Sequence, residues 1–121
     1  MSRSLGINKG EEFVLLTPPP SRLPKKIKLF QSLNREDISF LVIPHTYRNS
    51  PLTQSDLNKA CEKLEIRKSN LTLLFIVSVY ISVKKIELSL NIKAPILIDK
   101  SKRLCTQYVF DDDKYPIRQM L

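Results

Sequence analysis

The stretch Leu71–Ile92, LTLLFIVSVYISVKKIELSLNI, decides the fold class. Its first part, Leu71–Val83, is the most apolar segment of the chain and is rich in β-branched and aromatic residues, which favours a buried strand. It is shorter than the roughly 20 apolar residues of a membrane-spanning helix, so no such helix is expected. The second part, Ile86–Ile92, alternates apolar with polar residues and predicts another strand. The turn between them is expected near Ser82–Lys84.

Further apolar runs, bounded by polar or charged residues, predict more strands on both sides of this stretch: Phe13–Leu16, Ile27–Leu33, Ile38–Ile43, Pro95–Ile98 and Cys105–Phe110. The polar residues Asn34–Asp37 separate the second and third runs, as in a hairpin. These runs predict a mainly β fold, and small sheets usually curl to protect their edges. We expect a small barrel-like antiparallel β-domain of about seven strands.

One short α-helix is expected at about residues 54–65. Thr53 is suited to cap its N-terminus, and Asp56 lies near the positive end of the helix dipole. Leu52 and Leu57 are spaced to form a hydrophobic staple at its start. The residues that recur at helical spacing and form one apolar face are Leu57, Ala60, Cys61 and Leu64.

Length and charge describe a basic single domain. The chain has 121 residues, with 20 Lys and Arg against 12 Asp and Glu, which gives a net charge of +8. This length fits one domain over residues 1–121, in which residues 1–10 are expected to be flexible. The N-terminus has no apolar segment of the kind found in signal peptides, so a cytoplasmic location is expected.

Composition excludes most catalytic and metal chemistry. There is one histidine, His45, so histidine-dependent hydrolase sites have little basis. Cys61 and Cys105 are too few for a structural zinc site and are expected to be reduced, buried thiols. With only two glycines, neither Gly-rich phosphate-binding motif can be written. The sequence therefore predicts no enzymatic activity, no metal and no cofactor.

A set of segments follows in a definite order along the chain: FQSLNREDISFLVIP at Phe30–Pro44, LTQSDLNKACEKLEI at Leu52–Ile66, LTLLFIVSVY at Leu71–Tyr80, LNIKAPILID at Leu90–Asp99, QYVF at Gln107–Phe110 and YPIR at Tyr115–Arg118. This ordered set resembles the FliW-type flagellar assembly factors. LNIKAPILID is the strongest match, and the C-terminal YPIR makes the order more specific than any one motif. The resemblance covers roughly Phe13 to Leu121.

The resemblance implies a small β-barrel protein that acts by binding partners rather than by catalysis. Its implied partners are flagellin and CsrA, the RNA-binding repressor of flagellin translation. Capture of CsrA would relieve repression, so the implied function is stoichiometric control of flagellin synthesis in the cytoplasm. A monomer without a membrane contact is expected.

Two departures from the family pattern are visible. The family normally has a strand and a G-x-x-G-F turn ahead of the segment matched here by Glu11–Thr17, and only MSRSLGINKG precedes that segment. The first strand is therefore expected to be missing, which would leave an open edge. Family members are also commonly acidic, whereas this chain carries +8. The missing strand also motivates a third alternative, a member of the family that has lost its binding competence.

Two short segments are the candidate partner-binding residues: Asn91, Lys93, Ala94 and Pro95 in the first, and Tyr115, Pro116 and Arg118 in the second. A proline after an alternating strand ends ladder pairing and can present a surface, and Tyr and Arg often anchor interfaces. The structural alternatives are a barrel corner at Pro95 and a C-terminal segment that covers the barrel. In that second alternative Tyr115 is half-buried and Arg118 pairs with Asp111–Asp113.

The alternative function is a small basic nucleic-acid-binding β-barrel. It would require one electropositive face that combines the three basic clusters: Lys100, Lys102 and Arg103, then Lys84 and Lys85, then Arg22–Lys28. The aromatic residues are not interleaved with these clusters as stacking platforms would be. Direct nucleic-acid binding is therefore disfavoured.

Overall fold

The computed structural model describes residues 4–7, 12–18, 23–111 and 113–121. These residues form nine strands and one α-helix: β1 Ser4–Ile7, β2 Glu12–Leu16, β3 Lys28–Ser32, β4 Ser39–Thr46, α1 Gln54–Leu64, β5 Leu71–Ile81, β6 Ile86–Leu90, β7 Ile96–Asp99, β8 Leu104–Gln107 and β9 Gln119–Met120. A short 3-10 turn, Lys68–Asn70, leads into β5.

The strands form one sheet in the order β4-β3-β2-β1-β8-β7-β5-β6-β9, and β4 pairs with β5 in addition. Every described pairing is antiparallel except that of β1 with β8. On one edge β5 pairs first with β7 and then with β6, while its other edge pairs with β4 up to Val77. The mainly antiparallel β-domain with one helix is therefore confirmed, and the described residues form nine strands rather than the expected number of about seven.

The N-terminal strand is present, and the prediction that it is missing was wrong. Ser4 pairs opposite Val14, and Ile7 pairs opposite Cys105 on the other edge of β1. The sequence signal failed because β1 has only four residues, SLGI, and is held by neighbours on both edges rather than by a long apolar alternation. Of the predicted flexible segment 1–10, residues 1–3 and 8–10 lie outside the described residues.

Two hydrophobic clusters share β5. Leu74 belongs to the first, which joins side chains of β2, β3, β4, β7 and β8, among them Phe13 and Phe30. Leu73 and Phe75 belong to the second, which packs beneath α1. Successive side chains of a strand point to opposite faces, so β5 is buried on both faces along its first seven residues. This explains the continuous apolar run that the sequence shows there.

The helix begins and ends as its sequence predicts. The Thr53 side chain accepts a hydrogen bond from the Asp56 amide, and Glu65 ends the helix with φ 58°, in the left-handed region. Leu57, Ala60 and Cys61 are buried. Cys61 and Cys105 are both free and buried, and burial raises the pKa of each thiol, that of Cys105 to about 11. The prediction of two buried, reduced cysteines is confirmed.

Candidate functional site

The structure brings the two predicted partner-binding segments together. The carbonyl oxygen of Pro116 accepts hydrogen bonds from the amides of Ile92 (3.0 Å) and Lys93 (3.2 Å). The loop between β6 and β7 therefore lies against the segment that leads into β9. We call the seven predicted residues the loop–tail surface: Asn91, Lys93, Ala94, Pro95, Tyr115, Pro116 and Arg118.

The loop half of this surface is held by its own hydrogen bonds. Asn91 Oδ1 accepts from the Ala94 amide at 3.0 Å, and the Ala94 carbonyl accepts from Gln107 Nε2 at 3.1 Å. Pro95 is fully buried, and its carbonyl accepts from the Tyr108 amide at 3.0 Å. The side chain of Pro95 thus occupies a corner, while the loop around it is fixed in one conformation.

Tyr115 anchors the tail half to the start of α1. Its hydroxyl accepts a hydrogen bond from the Thr53 amide at 3.0 Å and donates to the Asp56 carboxylate. Its ring is 6% exposed and meets the Phe110 ring edge-on, with centroids 5.8 Å apart. Tyr115 is therefore more buried than the half-buried position considered from the sequence, and it acts as an anchor.

Asp56 is the electrostatic centre of this anchor. The hydrogen bonds from Tyr115, Lys114 and Thr53, in that order of effect, lower the pKa of Asp56 from 3.8 to about 2, while desolvation opposes them. Lys114 Nζ lies 3.1 Å from Asp56 Oδ2. The carboxylate thus ties the tail, through Tyr115 and Lys114, to the N-terminus of the helix.

This anchor predicts a specific acid sensitivity. Because the folded-state pKa lies below the ordinary value of 3.8, the carboxylate stabilises the fold fully above 3.8, and this contribution is lost as pH falls towards 2. We expect the stability difference between the native protein and the Asp56→Asn variant to shrink over that range, as measured by urea unfolding at each pH. A difference that stays constant with pH would contradict the assignment.

Arg118 has a different neighbour from the one considered in the sequence analysis. The Arg118 guanidinium lies over the Tyr80 ring at 5.2 Å from its centroid, and Lys93 Nζ lies 3.6 Å from Asp113 Oδ1. The alternative that pairs Arg118 with the acidic run is thus not what the structure shows, although Asp112 lies outside the described residues. Within the loop–tail surface Arg118 is exposed, and Asn91, Lys93, Ala94 and Pro116 are partly exposed.

Sequence reasoning missed the supporting aromatic residues. Tyr108 and Phe110 meet edge-on with centroids 4.8 Å apart, and Phe110 continues this contact to Tyr115. Thr53 and Asp56 were predicted only as helix-capping residues. The Tyr115 hydroxyl could have predicted this contact, because a buried phenol needs a polar partner and the free amides of a helix N-terminus supply one.

Two of the three basic clusters lie at opposite ends of one strand. Lys84 follows the C-terminal end of β5, whereas Lys100 follows Asp99, which pairs with Leu71 at the opposite end. An 11-residue strand separates these ends by about 33 Å. Arg22 of the third cluster lies outside the described residues.

Within the part of the chain that the structure describes, no group of three or more His, Cys, Asp or Glu residues is arranged to hold a metal ion. In that same part, no helix has the length and apolar character required to cross a membrane.

The family model described as FliW protein matches residues 4–121. The flagellar assembly factor FliW of Caldicellulosiruptor bescii is 35% identical over 92 residues, which cover 75% of this chain and 59% of that protein. The flagellar assembly factor FliW of Syntrophus aciditrophicus is 33% identical over 116 residues, 94% of this chain and 70% of that protein. The chain thus spans about three-fifths of the length of the Caldicellulosiruptor relative.

A solved structure supports the fold independently. The crystal structure of the flagellar assembly factor FliW superposes with a TM-score of 0.64 at 23% identity, covering 90% of this chain and 73% of that one. At this identity the likeness concerns the fold alone. Together with the family match along nearly the whole chain, the ordered segments and the barrel-like sheet lead to one assignment. The chain belongs to the FliW family.

Proposed function

We propose that this protein is a flagellar assembly factor that acts as a stoichiometric protein-binding regulator. In this proposal it binds flagellin and antagonises a CsrA-type RNA-binding repressor, so that free flagellin and the repressor compete for one scarce protein. The observation that carries the proposal is the FliW family match over residues 4–121. A competition of this kind needs only differential affinity between proteins, which agrees with a family of assembly factors rather than enzymes.

We assign partner contact to the loop–tail surface. Its backbone is fixed by the Pro116 carbonyl and by the Tyr115 anchor, so little conformational freedom is lost on binding. Arg118 is exposed, Lys93 and Pro116 are partly exposed, and arginine and tyrosine are residue types that often anchor interfaces. The proposed site is therefore a preorganised surface that carries Lys93 and Arg118. In this proposal the protein acts as a monomer in the cytoplasm.

Protein partners are favoured over nucleic acid by the charge map. The basic turns after β5 and β7 lie at opposite ends of an 11-residue strand. Three of the four tyrosine rings carry a cation of the same chain: Lys68 Nζ lies 5.4 Å from the Tyr47 centroid, Lys114 Nζ lies 5.1 Å from the Tyr115 centroid, and Arg118 covers Tyr80. These rings are therefore not free platforms for stacked bases.

Isothermal titration with purified flagellin and CsrA-type protein from the same genome tests the proposal. We expect both to bind with one-to-one stoichiometry per chain and to compete. The variants Lys93→Glu and Arg118→Glu should each weaken binding of at least one partner by about tenfold or more, as expected for interface anchors. Lys63→Glu, on the exposed face of α1, is the matched control and should bind normally. Binding to neither protein would refute the proposal.

A further inference from the structure

The hairpin of β5 and β6 leaves a backbone edge without a strand partner. β5 pairs with β4 only as far as Val77, opposite Leu41, yet continues to Ile81 on its β6 side. Among the described residues, no strand pairs beyond Val77 with the edge of β5 that faces β4. A free edge of this kind is a template for an added strand.

One face of the same hairpin is apolar; its base, with Val79 and Leu88, packs partly on the core, and its tip is exposed. Residues directly opposite each other in an antiparallel pair share a face, so Val79 and Leu88 lie beside Ile81 and Ile86 on that face. We call these four residues the apolar strip. Exposure rises along the hairpin from the buried Val77–Leu90 pair to Ile81, which is 78% exposed, and Val83 at the tip is fully exposed. Ile81, Ile86 and Val83 therefore give the tip of the hairpin a small exposed apolar surface.

The opposite face of the hairpin is polar and carries cations. Tyr80 lies opposite Glu87 on that face, and Arg118 covers the Tyr80 ring. Lys85 Nζ lies 2.6 Å from Glu87 Oε1, and Lys84 follows the end of β5. This face therefore has more cations than anions, which agrees with the net charge of +8.

We infer that the Ser78–Ile81 edge of β5 binds an extended segment of a partner protein whose residues alternate between apolar and acidic. In an added strand, one set of side chains would lie beside the apolar strip and the other would face the cations. The backbone groups of the edge would supply affinity and the two faces would fix the register. This goes beyond the proposed function, because the contact is made by a free backbone edge; Arg118, which covers Tyr80, is the one residue that the edge shares with the loop–tail surface.

A second copy of this chain fits the edge less well. The apolar strip measures about 10 Å by 10 Å. This area is far smaller than the roughly 800 Å² that each partner buries in a stable dimer. Two chains of charge +8 also repel each other. A narrow strip beside a free edge suits a short segment instead.

The test uses synthetic ten-residue peptides and the full chain. Fluorescence anisotropy should show binding of a labelled peptide that alternates valine and glutamate, and no comparable binding of one that alternates valine and lysine. The variant Ile81→Lys should weaken the first complex by about tenfold or more. Leu104→Lys replaces another exposed apolar strand residue, at the far end of the sheet, and should leave binding unchanged.

Amide hydrogen exchange distinguishes strand addition from a general hydrophobic contact. We expect the bound peptide to slow exchange at Ser78–Ile81 by about tenfold or more, because added ladder hydrogen bonds protect these amides. Unchanged exchange there, equal binding of both peptides, or equal loss in Ile81→Lys and Leu104→Lys would overturn the inference. So would a dimer, seen by sedimentation without peptide, that Ile81→Lys abolishes.

Discussion

Replacement of Tyr115 by alanine should lower the free energy of unfolding by about 3–5 kcal/mol, the usual cost of removing a buried aromatic side chain. The substitution removes a ring packed on Phe110 and a hydroxyl bonded to the start of α1. It should also release the tail and hence the loop that pairs with the Pro116 carbonyl. Urea unfolding followed by circular dichroism measures the first effect, and amide exchange of Ile92 and Lys93 measures the second.

Two variants separate the parts of this effect. Tyr115→Phe keeps the ring but leaves Asp56 and the Thr53 amide without the hydroxyl, so a smaller loss of about 1–3 kcal/mol is expected. Tyr80→Ala removes a tyrosine that is 38% exposed, and should cost less than either. An equal loss in Tyr115→Ala and Tyr80→Ala would show that Tyr115 is not an anchor.

Replacement of Phe75 by alanine is the second large effect, also about 3–5 kcal/mol. Phe75 is completely buried beneath α1, and its ring meets that of His45 edge-on, with ring centroids 5.0 Å apart. Because small domains are stable by only about 5–15 kcal/mol, the variant should be close to unfolded at moderate temperature. The midpoint of thermal unfolding measures this.

Phe40→Ala is the matched control for Phe75→Ala. Phe40 is 37% exposed in β4 and contacts Phe13 from one side, so its removal leaves a smaller cavity. We expect it to cost less than half as much. A similar loss in both variants would indicate that the cluster beneath α1 is loosely packed.

The sequence predicted the elements that carry their own pattern. The Thr53 cap, the helix face with Leu57, the hairpin turn at Asn34–Asp37 and the turn near Ser82 were all confirmed. Each depends on residues close together in the chain, whose spacing reports on local structure directly.

Elements that depend on distant neighbours were not predictable in this way. β1 and β9 are short, and their pairing partners define them more than their own residues do. The Arg118 contact with Tyr80 and the Lys93 contact with Asp113 depend on how the tail crosses the sheet, which no local spacing encodes. Of the candidate site, the sequence supplied the residues but not their partners.

The parallel pairing of Gly6 with Leu104 has a consequence for biosynthesis. β1 can pair with β2 as soon as both have left the ribosome, but its other edge waits until β8 has been made. Through most of translation, a strand edge of the nascent chain is therefore open to other chains. Contacts between residues so far apart in sequence also slow folding, so docking of β8 on β1 should be among the last events before the native sheet is complete.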